Sequence, residues 1–352
     1  AGDCGMPAGN LMTGAGFAYD LLHDDLEPEF REAFRERLWH QARSMYHLGY
    51  LEKNPANTAA YWQQDPQNNH RFHRFGGLVN AVIVAYTGDP SEDWLLARTI
   101  EEAEFVKKWL PPDGSNHEGI SYISYGMGGL LVGAWAADEN FGTNLMDQGY
   151  FKNVALFVTT ATTPGLGGRF PYGDDGGGGG GFTSDVHKGI RINQLADVQA
   201  FVDRINARYS GEAWQLLAMQ LPPPEGGSME NLPRNILYPD LGVAHFRNGW
   251  EQGDEGAMFK CGPMGGRRLN EYRDTHDFHY INIAHDDPDA NTFAIWEGYT
   301  HAVSNAGYST QKKSANHNTI LVDGQGQRTR GEPEGMHWSQ PANGNVSMLD
   351  MA

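Results

Sequence analysis

The sequence predicts an α+β multidomain protein: helical hairpins stacked side by side, as in a bundle or an α/α toroid, followed by an antiparallel β-sheet domain. Three observations carry this reading. Apolar residues recur at helical spacing in several stretches between Phe17 and Arg208. The loops between those stretches are short and rich in Gly, Pro and Asp. After Pro222-Pro223-Pro224 the texture changes to short β-like runs separated by Gly, Asn and Asp. The division expected is a helical domain over 1–225 and a sheet domain over 235–352.

Each element has its own signal. Asp24, Asp25, Glu27 and Pro28 mark a helix start, with acids at the positive dipole end, and Phe30, Phe34 and Leu38 follow at helical spacing. A second helix is expected from about Phe72 to Tyr86, stopped by Thr87-Gly88-Asp89-Pro90. A third starts at Ser91 and runs to Leu110, where Pro111-Pro112-Asp113-Gly114 breaks the chain. Further helices are expected over Ile120–Asp138, Tyr150–Thr160 and Asp185–Tyr209. The β-like runs are Val243–Phe246, Ala257–Lys260, Tyr280–Ile283, Thr292–Trp296 and Thr319–Val322. No repeat of fixed period is present, which disfavours a solenoid.

Composition narrows the function classes. With 352 residues, 39% of them hydrophobic and 11% aromatic, the chain can bury a substantial core. Its 44 acidic and 26 basic side chains give a net charge of −18, which argues against nucleic acid as the main partner. The longest apolar run, Leu78–Tyr86, contains Asn80 and is too short to cross a membrane. Cys4 and Cys261 are the only cysteines, so neither a disulfide scaffold nor a thiolate zinc cluster is encoded; one bridge or two thiols both fit. Ala1–Asn10 lacks the charged start and apolar stretch of a signal peptide. Gly173–Gly181 lacks the Lys and Ser/Thr of a phosphate loop and reads as a mobile surface loop that could lie over an active site.

Four constellations could carry chemistry. Asn68-Asn69-His70-Arg71-Phe72-His73-Arg74 packs amide, imidazole and guanidinium groups at a helix start, where plain N-capping is the competing reading. Asp113–Gly126 is a polar turn containing His117 and Glu118 that feeds a helix, with Tyr122 and Tyr125 on one face. His276–Asn291 holds three His and four Asp, suited to a metal or to acid/base work, or to a solvated loop. Asn316-His317-Asn318-Thr319 leads into a β-like run. Arg71, Arg74, Arg267 and Arg268 could bind carboxylates, and Tyr61 and Trp62 could stack on sugar rings or pack in the core.

Taken in order, Asn69-His70, D-G-S-N-H-E-G-I-S-Y-I-S-Y (113–125), F-K-C-G-P-M-G-G (259–266), A-H-D-D-P-D-A-N-T-F (284–293) and N-H-N-T-I-L-V-D-G-Q-G-Q (316–327) resemble the heparinase II/III-like superfamily of uronate polysaccharide lyases. The oligoalginate lyases are the nearest members and the dermatan sulfate epimerases are related. The resemblance covers roughly Gly16 to Gly331. It implies an incomplete α/α toroid followed by a β-sandwich-like antiparallel domain, and a chain that is a fragment of a longer, secreted or periplasmic protein. It places the carboxylate-binding Asn on Asn69, the catalytic His on His70, the catalytic Tyr on Tyr122 and a second catalytic His on His285. The family's metal positions fall on Asp287, Asn305 (or Ser304) and His317, of which only His317 keeps the family's residue type. An altered oxygen-rich site for zinc or calcium, or no metal, therefore both fit, and no cofactor is required for the chemistry.

That chemistry is β-elimination. A uronate C5 proton is weakly acidic, and its removal puts extra negative charge on the carboxylate, which Asn69 with His70 or His285 can stabilise. A base takes the proton and an acid protonates the leaving O4; tyrosine can serve as both, or a His acts as base with Tyr122 as acid. His117, Glu118, Tyr125, Arg71, Arg74 and Arg267 are expected at the substrate. The expected substrate is an acidic polysaccharide or oligosaccharide, alginate-type first and glycosaminoglycan second, with neither nucleic acid nor membrane as partner. A uronate C5 epimerase and a non-catalytic glycan-binding protein are the alternatives.

Overall fold

The computed structural model describes residues 5–47, 65–175, 189–205, 221–276, 285–305, 307–308 and 312–327. The chain divides into two compact units, one of residues 1–109 and 125–146, the other of residues 110–124 and 147–352.

The first unit is helical. α1 (Met6–Leu22), α2 (Pro28–Tyr46), α3 (Asn69–Ala85) and α4 (Asp93–Trp109) are joined by the later part of α5 (Ile120–Phe141). α2 opens on Pro28, whose missing N–H would have been an orphan donor anyway, with Glu29 in its first turn and Arg43 in its last. α3 begins at Asn69, earlier than its apolar periodicity indicated, because the Asn68 side chain accepts the His70 N–H at 2.9 Å. Nearly all of α3 is buried, including the polar His73, Arg74 and Asn80. Met12, Tyr19, Leu38, Ala42, Met45, Leu78, Val82 and Leu95 form the core around it. α1 lay partly outside the expected helical region, since its start is masked by glycine. Gly9 is needed there: a Cβ on it would lie 2.4 Å from the His73 carbonyl oxygen, so only glycine lets α1 meet the α3 backbone.

The second unit carries α6 (Gly149–Ala161), α7 (Ala196–Arg204), α8 (Gly266–Thr275) and five strands. The strands are β1 (Asn235–Tyr238), β2 (Val243–Arg247), β3 (Glu255–Lys260), β4 (Thr292–Glu297) and β5 (Thr300–Val303), an antiparallel meander in sequence order. Tyr238 pairs with Val243, His245 with Met258 and Lys260 with Thr292, and the ladder is irregular at Ile295/Trp296. Tyr238, Val243, His245, Met258 and Ala294 point to the buried face. α6 covers part of it: Phe157 meets Tyr238 edge-on at 4.6 Å, and Thr160 bonds the Tyr238 hydroxyl at 2.7 Å and His245 Nδ1 at 3.1 Å. Complete burial holds the His245 imidazole neutral, its pKa pushed down to about 3. The opposite face exposes Leu237, Phe246, Phe259, Phe293 and Ile295.

Three expectations change. Asp185–Tyr209 is not one helix: Gln194 adopts φ 52° and α7 starts only at Ala196, residues 185–188 and 206–209 lying outside the described residues. Among the described residues Thr319–Val322 joins no ladder beyond an isolated Val322–Gln325 bridge; the Asn318 side chain accepts the Phe293 N–H and donates to the Phe293 carbonyl. β1, β5 and α8 were not anticipated. Tyr280–Ile283, Tyr61, Trp62 and Cys4 lie outside the described residues, and Cys261 is a free thiol.

One loop makes stability pH-dependent. Asp240 accepts the Arg268 N–H at 2.8 Å, while its own N–H donates to Asp113 Oδ2 at 2.8 Å. Burial and the neighbouring Asp113 push the Asp240 carboxyl up to about 7. A carboxyl raised on folding favours the native state at low pH, and that contribution is lost as pH climbs from the ordinary carboxylate range through 7. Asp240→Asn keeps the acceptor and removes the charge. In urea titrations it should gain about 2–4 kcal/mol over the parent at pH 8 and nothing at pH 4.

Candidate functional site

In the first unit the Asn69-His70 pair sits at the capped start of α3. Asn69 is buried and His70 half-buried. The nearby arginines are not turned to solvent. Arg71 forks onto Glu102, Nε to Oε1 at 2.7 Å and Nη2 to Oε2 at 2.8 Å, and lies 4.2 Å from the Phe105 ring centre; Arg74 is buried. Arg71, expected at a substrate carboxylate, is paired here with a carboxylate of its own unit. Tyr125 is 48% exposed, its ring 4.7 Å from that of His73.

In the second unit the 113–119 turn is tightly braced. Asp113 Oδ1 accepts the Ser115 N–H and hydroxyl, Asn116 Oδ1 accepts the Glu118 N–H at 2.8 Å, and the Tyr172 hydroxyl donates to the Asn116 carbonyl at 2.8 Å. His117 and Glu118, expected at the substrate, are buried within this brace. Asp175 then takes the Ser121 N–H at 3.0 Å, satisfying a donor in the first turn of α5, while Arg169 grips the same carboxylate with two bonds. This fixes the turn that presents Tyr122.

Tyr122 and His285 stack, ring centres 3.7 Å apart and planes 20° from parallel. Tyr308 lies beside both, at 6.5 Å from Tyr122 and 6.3 Å from His285. Burial foremost, then a hydrogen bond with Tyr308, raises the Tyr122 phenol well above its ordinary range, so it stays protonated at neutral pH. His285 Nδ1 bonds Asp174 Oδ2 at 2.7 Å, and the Asp174 N–H returns a bond to the His285 carbonyl at 2.9 Å. Asp174 Oδ1 accepts from Lys312 Nζ, which also lies 3.3 Å from Asp287. Behind this, Lys260 Nζ bridges Asp286 and Asp289, and Gly265 N–H donates to Asp286 at 2.6 Å. Gly173 permits the approach: at φ +55°, a Cβ there would stand 2.8 Å from the His285 carbonyl oxygen and 3.0 Å from that of His117.

The residues at the family's metal positions do come together, but as partners of one another. His317 Nε2 is 3.7 Å from Asp287, its Nδ1 bonds Asn305 Oδ1, and Asn305 Nδ2 reaches Asp289 at 3.4 Å. Asn305 therefore bonds the imidazole, and the Lys312 ammonium lies 3.3 Å from the same Asp287 Oδ1 that His317 approaches. Among the described residues no three His, Cys, Asp or Glu side chains are disposed to hold a metal ion.

Asn69 and His70 belong to the first unit, Tyr122 and His285 to the second. Arg267 lies at the start of α8, its Nε bonded to the Pro239 carbonyl at 3.0 Å. The start of the Gly-rich stretch differs from the expected mobile surface loop: Asp174 and Asp175 are buried anchors, and 176–181 lie outside the described residues. Asp174, Asp175, Arg169, Tyr308 and Lys312 were not singled out as site residues. The paired acids ahead of the glycines and a lysine just before Asn316-His317 were the only signals available.

No protein-family model matches the chain. Among solved structures it is similar to a heparinase III with methylated lysines, at 15% identity and a TM-score of 0.50, covering 97% of this chain and 48% of that one. A second heparinase III gives 13% identity and 0.49, covering 89% and 54%. Heparan sulfate lyase from Pedobacter heparinus gives 14% and 0.46, covering 87% and 43%. The likeness is one of fold, and the chain spans about half the length of the first of these structures.

Proposed function

We propose that this chain carries the reaction site of a lyase that cleaves uronate-containing glycan by β-elimination. The observation that carries the reading is the Tyr122–His285 stack, with Asp174 fixed on His285 Nδ1. Nδ1–H donation to a carboxylate makes Nε2 the atom at which this imidazole exchanges protons. A phenol that stays protonated is suited to giving its proton to a leaving oxygen. In the proposed step Asn69 hydrogen-bonds the substrate carboxylate and His70 or His285 accepts the C5 proton. The electron pair forms the C4–C5 double bond as the C4–O4 bond breaks, and Tyr122 protonates O4. Developing charge on the carboxylate is met by the Asn69 amide and the imidazoles.

The motifs favour alginate-type substrate, with glycosaminoglycan as the second candidate. The helical 1–225 region is proposed as a toroid portion and the 235–352 region as part of a sandwich, its exposed apolar sheet face supporting the latter. A secreted or periplasmic location follows from a polymeric substrate. No helix among the described residues is long and apolar enough to cross a membrane.

The test is incubation with alginate, heparan sulfate and chondroitin while absorbance of the unsaturated uronate is followed. A rise on one of them supports the reading, and a flat trace on all three overturns it. Solvent deuterium entering C5 without new unsaturated ends would select the epimerase.

A further inference from the structure

We propose that Lys312 is the resident cation of this site: its ammonium joins Asp174 to Asp287 and, through Asp174, holds the His285 ring against Tyr122, in the place where a divalent metal would otherwise be sought. As a statement about catalysis this rests on the lyase reading; as a statement about what binds the carboxylates it stands alone. Lys312 is completely buried, as are both of its acidic partners. A buried ammonium without counter-charge is costly, and a buried carboxylate equally so. The two needs meet here. Asp174 shares one oxygen with Lys312 and gives the other to His285 Nδ1. Neither Asp287 oxygen takes a hydrogen bond among the described residues, so its charge is met by the ammonium at 3.3 Å from Oδ1, with the His317 imidazole 3.7 Å from the same oxygen.

The geometry also says what Lys312 does for the ring. Asp174 is bonded to His285 twice, side chain to Nδ1 and backbone N–H to the carbonyl. A carboxylate held on its far oxygen by a fixed cation cannot rotate away from the imidazole, so tautomer and ring plane are set together. Lys312 is accordingly a positioning residue, since it touches no reacting atom. The ammonium lies 5.9 Å from the Tyr308 ring centre, which ties the third aromatic of the cluster to the same anchor.

The experiment uses the chain as it stands, with Lys312→Met and Lys312→Arg. In ¹⁵N-labelled parent protein His285 should show the Nδ1–H tautomer and a downfield, exchange-protected Nδ1 proton. Lys312→Met should lose that resonance and Lys312→Arg should keep it. Parent protein should hold no stoichiometric zinc or calcium by elemental analysis, and its melting temperature should be unmoved by EDTA or added Zn²⁺. On the substrate that the parent cleaves, Lys312→Met should lose about 10–100-fold in kcat with KM little changed. Persistence of the protected Nδ1 proton in Lys312→Met, or a bound metal whose removal lowers the melting temperature, overturns the proposal. Should Lys312→Met fail to fold, the metal content and chelator response of the parent and the resonance in Lys312→Arg still decide it. Absence of turnover in the parent would sink the lyase reading while leaving these readouts intact.

Discussion

Tyr122→Phe should reduce turnover by about 10²–10⁴-fold while leaving the fold intact. The substitution removes one oxygen and keeps the ring that stacks on His285 at 3.7 Å. The lost hydroxyl is the proton donor proposed for the leaving O4, so kcat should fall and KM should hold within a few-fold. Its hydroxyl also bonds Tyr308, an exposed neighbour, so the structural cost should stay near the ~1 kcal/mol of an ordinary hydrogen bond. Steady-state kinetics beside a urea titration separates the two effects. A variant that retains parental kcat excludes Tyr122 from proton transfer. Tyr125→Phe, with a ring 48% exposed beside His73, serves as control and should change turnover little.

Lys260→Met should strongly destabilise the second unit. Lys260 ends β3, is buried, and bridges Asp286 and Asp289. The methionine approximates its volume but strands two buried carboxylates, a loss of roughly 3–5 kcal/mol. The effect has a pH signature. Burial already raises the Asp289 carboxyl, and without the ammonium its protonation becomes the cheaper state. The deficit should therefore shrink as pH falls towards 5, and denaturant titrations at pH 5 and pH 8 measure it. A loss below about 1 kcal/mol at pH 8 would mean that Asp286, held by the Gly265 and Asp287 N–H groups, and its neighbour are already satisfied without the lysine.

Helices were legible wherever polar caps bracketed apolar periodicity. Pro28, Ile120 and the breaker at Pro111-Pro112 set boundaries that the structure keeps within a few residues. α1 was harder because small residues, Ala8, Gly9 and Gly16, interrupt its buried face and leave only Met12 and Tyr19 as large apolar markers. β1 and β5 are four residues long, too short for alternation to register. The site was partly visible: Tyr122 and His285 stand in distinctive motifs and do meet. Their support was invisible for a physical reason. Asp174 and Lys312 are 138 positions apart in the chain, and only the fold makes a pair of them. The same distance effect hid the partner of Arg71, Glu102, which lies a helix away.

The cluster behind His285 has a further consequence in its electrical balance. Among the described residues, Lys260 and Lys312 are the ammonium groups paired with Asp174, Asp286, Asp287 and Asp289, with His285 and His317 beside them. They sit inside a chain whose net charge is −18. A polyanionic sugar chain would approach uphill, with short-range hydrogen bonds taking over only on contact. Screening flattens that slope over a Debye length of about 8–10 Å. Capture of such a chain should then quicken as sodium chloride is added up to moderate ionic strength, opposite to the behaviour of proteins that hold polyanions with lysine-rich surfaces.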